Sequence, residues 1–91
     1  MSSVQVFYEG SVQGVGFRYT VRQIAKGYDV TGWVRNLRDG RVELQASGEE
    51  EELRAFLGAI LQSELRAHIR HHPETPLQDR VIAHGFEIRH E

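Results

Sequence analysis

The 91-residue chain contains no cysteine, which removes disulfides, thiol nucleophiles and thiolate-held metals from the possible chemistries. Its two prolines, Pro73 and Pro76, mark a loop expected to run to about His84. No run approaches the roughly 18 consecutive apolar residues of a membrane span. The opening Met1-Ser2-Ser3-Val4 also lacks the basic stretch followed by an apolar one that makes a secretory leader. A cytoplasmic protein with no membrane partner is the expectation. Basic charge is not in excess either: 11 Lys and Arg stand against 13 Asp and Glu, a net charge of −2. A nucleic-acid backbone calls for a clustered basic face, so no nucleic-acid partner is expected. The acidic excess is uneven, with six basic against four acidic side chains in residues 1–48 and five against nine in 49–91. A mildly basic first half suits a small anionic ligand.

What is present is ordinary for a folded domain, with 40% hydrophobic and 26% charged residues and no internal repeat or linker. One domain over residues 1–91, acting as a monomer, is expected. Val4, Val6 and Tyr8 alternate as one side of a strand that Gly10 ends. From Arg18 the period becomes helical, with Val21, Ile24 and Ala25 inward and Gly27 at the stop. Residues 30–36 read as a second strand and 41–47 as a third, with Val42, Leu44 and Ala46 inward and Asp39-Gly40 turning a hairpin between them. Ser47-Gly48-Glu49-Glu50 fits a capping box before a helix whose inner face is Leu53, Phe56, Leu57 and Ile60. The glutamates at 49–52 suit the positive end of that helix. Residues 62–72 fit both a continued helix and a strand, and Phe86 to Arg89 alternates as the last strand. The order gives an α+β, ferredoxin-like βαββαβ two-layer sandwich, an antiparallel sheet with two helices on one face.

Between the first strand and first helix, Gly10, Gly14 and Gly16 punctuate a loop in which successive N–H groups can turn inward as an anion nest. The helix start adds its own unpaired N–H groups, and Arg18 adds a planar fork of donors matched to phosphoryl oxygens. The plain alternative is a solvent-facing arginine beside an ordinary turn. Neither the phosphate-binding pattern ending in Gly-Lys-Ser/Thr nor the three-glycine dinucleotide spacing is present. Gly14 to Tyr19 looks like the glycine-aromatic signature of RNA-recognition modules, but it runs into a helix instead of lying on a central strand. Asn36 ends the second strand on the side of Val30 and Val34, where it either closes the turn or faces a site. Trp33 reads as packing.

The segments GSVQGVGFR at 10–18 and GWVRNLRDGRVE at 32–43 together resemble the two signatures of the acylphosphatase family, over about residues 4–61. The resemblance implies hydrolysis of acyl phosphates, with a small-molecule acyl phosphate as substrate and inorganic phosphate as product and competitive inhibitor. It implies that Ser11, Val12, Gln13, Gly14, Val15, Gly16 and Phe17 hold the phosphoryl group, that Arg18 is the essential phosphate ligand, and that Asn36 orients the attacking water. It also implies a strand at about residues 66–72. The Gly-Pro common after the family's second helix is missing here, where Leu61-Gln62-Ser63-Glu64 makes a tight connection.

Such chemistry asks for little. A carboxylate leaves without protonation, and the loose transition state of phosphoryl transfer asks mainly for positioning and charge neutralisation. No cofactor and no metal is expected. The rival site is His68, His71 and His72, which on a helix would share one face at metal-ligand spacing. The rival function is a non-catalytic anion-binding or regulatory domain on the same scaffold.

Overall fold

Ser2–Gly10 forms β1, whose Val4, Val6 and Tyr8 are all buried as their alternation requires. The computed structural model describes all 91 residues. After β1 come α1 (Phe17–Ala25), β2 (Val30–Asn36), β3 (Val42–Gly48) and α2 (Glu50–Leu61). A 3-10 turn (Glu64–His68) then leads into β4 (Ile69–His71), β5 (Glu74–Leu77) and β6 (Phe86–His90). The sheet order is β4-β1-β3-β2-β6, with β5 also on β1. Both helices pack on one face, giving the expected ferredoxin-like α+β sandwich. Val42, Leu44 and Ala46 meet Leu53, Phe56, Leu57 and Ile60 in a single hydrophobic cluster. No helix is long and apolar enough to cross a membrane.

The other sheet face is polar and closely tied. Glu43 is 5% exposed and accepts from Gln5 at 2.8 Å, Arg35 at 3.0 Å and Gln45 at 3.2 Å, so the buried charge is paired and hydrogen-bonded. Trp33 is packing, as expected, buried with the guanidinium groups of Arg35 and Arg89 stacked against its ring.

Four expectations need correction. The sheet is mixed, because β6 runs parallel to β2, with Gly32 opposite Phe86 and Asn36 opposite His90. Alternation within a strand carries no information about its partner or direction. The strand expected at residues 66–72 is confined to 69–71, since Ser63 accepts from the Leu65 N–H and starts a 3-10 turn that buries Leu65. The proline-bounded stretch is not all loop: β5 pairs Val6 with Glu74 and Ser3 with Leu77. It lies on the outer edge, where proline's missing N–H breaks no ladder. The capping box does not form. Ser47 is a buried β3 residue whose Oγ bonds Ser3 Oγ at 2.7 Å and accepts from the Val81 N–H at 2.8 Å, while Glu49 stands at the N-cap with no side-chain cap. Glu50, Glu51 and Glu52 do occupy the first turn of α2, where the macrodipole favours acids.

Candidate functional site

The loop from β1 to α1 is held in place along its length. Gly10 sits at φ +135°, and a Cβ there would collide with the His68 carbonyl and lie 2.9 Å from the Arg70 nitrogen, so β1 can turn against β4 only with glycine. The Ser11 N–H then donates to the His68 carbonyl at 3.0 Å. Val12 is fully buried in the core, and Phe17 packs on Tyr8 with ring centroids 5.0 Å apart. Between these apolar anchors, the Gln13 amide donates to the carbonyls of Leu37 at 2.7 Å and Arg41 at 3.0 Å, tying the loop to the β2–β3 hairpin.

Gly14 and Gly16 have φ +78° and +74°, while Val15 between them keeps a negative φ, the alternation from which anion nests are built. The N–H groups of residues 12–19 have no partner within the chain, the first intrahelical bond being Thr20 to the Gly16 carbonyl at 3.0 Å. The first turn of α1 carries no acidic side chain and no side-chain cap, so its positive end is not neutralised.

Arg18 rises from this helix start, half-buried and without a carboxylate partner. It shares a pocket of about 230 Å³ with Gly14, Gly16 and Asn36. Asn36 ends β2, half-buried, opposite Val42 on one side and His90 on the other. The hairpin turn after it is closed by others: Leu37 N–H to the Arg41 carbonyl at 2.8 Å, Gly40 N–H to Leu37 at 3.1 Å, and Asp39 accepting from the Arg41 N–H at 3.0 Å. Its amide is therefore not spent on turn closure. Arg41 also donates through Nε to Asp39 and holds that exposed carboxyl below its usual range. No carboxylate lines the pocket, leaving an unopposed positive region sized for a small oxyanion.

A second hollow, of about 420 Å³ beside α2 and β5, is different in kind. Its Arg54 is already paired, at 2.7 Å with Glu74 and 3.5 Å with Glu50. His68, His71 and His72 fall at the end of the 3-10 turn, on β4 and just beyond it, and no three metal-ligating side chains converge anywhere in the fold.

Of the residues expected at the site, Val12, Gly14, Gly16, Phe17, Arg18 and Asn36 line one pocket. Ser11, Gln13 and Val15 do not; Gln13 faces the hairpin and Val15 faces solvent. Tyr19, Ile88 and His90 line the pocket and were not expected. Continuing the alternation of Phe86 and Ile88 by one step would have reached His90.

Comparison with known proteins identifies the family. The acylphosphatase family model matches residues 4–88. An acylphosphatase of Listeria welshimeri is 45% identical over 75 residues, covering 78% of this chain and 81% of its own. One from Methanospirillum hungatei is 50% identical over 60 residues, 66% of each chain. The crystal structure of acylphosphatase from Bacillus subtilis superposes with a TM-score of 0.87 at 35% identity, covering 98% of this chain and 99% of that one. With the family model spanning nearly the whole sequence and the fold shared end to end, the chain belongs to the acylphosphatase family, enzymes that hydrolyse acyl phosphates.

Proposed function

We propose that the pocket holding Arg18 and Asn36 cleaves the mixed anhydride of a carboxylic acid and phosphate, with the whole chain acting as one monomeric cytoplasmic enzyme. The observation that carries this is one carboxylate-free pocket lined together by Gly14, Gly16 and Phe17, whose N–H groups have no partner in the chain, by Arg18 and by Asn36. The N–H groups and Arg18 hold the phosphoryl oxygens. Their dipoles and charge are already oriented, so little reorganisation accompanies the build-up of charge in the transition state.

Asn36 orients water toward phosphorus from the β2 side. The water's proton passes late to a phosphoryl oxygen of the substrate, and the carboxylate leaves as an anion without a general acid. This route asks nothing of a metal or cofactor. Inorganic phosphate keeps the recognised part of the substrate and is a competitive inhibitor. The test is turnover of benzoyl phosphate beside an alkyl phosphate monoester, whose poor leaving group does need a proton. Rapid cleavage of the first and none of the second is expected. Phosphate binding without any turnover of benzoyl phosphate would leave only an anion-binding domain.

A further inference from the structure

Two polar side chains of the pocket, Tyr19 and His90, have no task in this mechanism. His90 lies exposed at the end of β6, level with Asn36 in the parallel register, and its Nδ1 is 3.4 Å from Arg18 Nη1. An arginine nitrogen only donates, so in this arrangement Nδ1 is the unprotonated acceptor and the imidazole proton is on Nε2. The separation exceeds the usual 2.7–3.2 Å. The contact is therefore a loose one, and neither side chain is locked by it.

The charged and titratable groups around this pair come from each neighbouring element. From α1 come Arg18, the Tyr19 phenol that also lines the pocket, and Arg22, whose guanidinium lies 5.6 Å from the Tyr19 ring. From β2, Arg35 is on the opposite sheet face, paired with Glu43 at 2.9 Å. Beyond β2, the Arg38 N–H donates to Glu91 Oε1 at 2.6 Å, with the Arg38 side chain 4.0 Å from the same carboxylate. On β6 itself, Glu87 and Arg89 bond each other at 3.1 Å across the far face.

We propose that His90 is a proton-coupled positioning residue of the anion site, an inference that rests on the functional reading of the pocket given above. Neutral, it sets the direction of the Arg18 guanidinium. With a dianion bound, it takes a proton from solvent onto Nδ1, gives up the bond to Arg18 and becomes a second cation facing the anion. A dianion beside both residues favours that added charge. Histidine is the side chain that ordinarily titrates between pH 5 and 8. By linkage, anion binding and proton uptake strengthen each other by the same factor. One added charge about 4–6 Å from a dianion, at a water-exposed and salt-screened site, corresponds to roughly three- to tenfold in affinity.

Sulfate is the suitable probe, because its charge is constant over this pH range while that of phosphate is not. Its dissociation constant, measured by calorimetry at fixed ionic strength from pH 8 to pH 5.5, should fall roughly three- to tenfold for the wild-type protein. In His90→Gln, which keeps a polar amide but cannot titrate, the constant should be flat; His90→Asn, equally exposed at the strand end, should repeat the result. Arg18→Ala in parallel reports whether sulfate occupies this pocket. Sulfate that binds regardless of Arg18, or not at all, would overturn the anion-site reading and this inference with it. Sulfate binding that depends on Arg18 but has the same pH slope in wild type and His90→Gln would overturn the role of His90 alone.

Discussion

Arg18 and Asn36 share a pocket, but their assigned work differs and substitution should separate it. Lysine in place of Arg18 keeps the charge and loses the planar fork, so Arg18→Lys should weaken phosphate binding and turnover together; phosphate inhibition constants measured beside kcat would show it. Asn36→Ala should lower kcat by about 10²–10³, the usual cost of one preorganised polar group, with phosphate still bound nearly as well. A folded Asn36→Ala protein with wild-type kcat would remove the residue from the mechanism. Residue type and position, a helix start after a glycine loop and a strand end before a turn, left a plain structural alternative open for both residues, and it was the pair of family-like segments around them that singled them out. His90 was not singled out. Its position depends on β6 lying beside β2, a pairing between residues more than fifty apart that local periodicity does not encode.

The loop of residues 11–16 owes its shape to its neighbours more than to its own glycines. Val12 and Phe17 fix its ends in the core, and the two Gln13 bonds attach its middle to the hairpin. Each such bond is worth about 0.5–1.5 kcal/mol net. Gln13→Ala should therefore lower the thermal midpoint by several degrees, reduce kcat/KM up to roughly tenfold and weaken phosphate binding. Unchanged kinetics would show that the two apolar anchors alone hold the loop. The strands and helices that pack on the core were legible because their apolar period matches their geometry, as in β1, β3 and α2. The stretch from Glu64 to Leu77 was not, since an edge strand broken by two prolines and preceded by a 3-10 turn shows no sustained period. Ser47 misled for a related reason: a serine before glutamates fits a cap, but this one is buried between Ser3 and Val81, which are remote in sequence.

At the level of the whole molecule, Tyr8 makes stability depend on alkaline pH. Burial, and secondarily the Glu74 charge, push its phenol well above the ordinary value. The folded state thus favours the neutral form, so this contribution is complete below about pH 10, where the unfolded chain's tyrosine begins to ionise, and is lost as pH rises further. Thermal midpoints from pH 8 to pH 11 should fall more steeply for wild type than for Tyr8→Phe; equal slopes would place the sensitivity elsewhere. The parallel pairing of β2 with β6 has a consequence in time. The pocket's walls come from the start of α1, the end of β2 and the end of β6, so it exists only once this distant pairing has formed. Contacts of such sequence separation form slowly, and a site completed after the rate-limiting barrier cannot bind ligand at that barrier. Phosphate should then slow unfolding in proportion to its binding energy and leave the refolding rate unchanged. Stopped-flow folding and unfolding limbs recorded with and without phosphate would show this, and acceleration of refolding by phosphate would mean that β6 docks on β2 before the barrier.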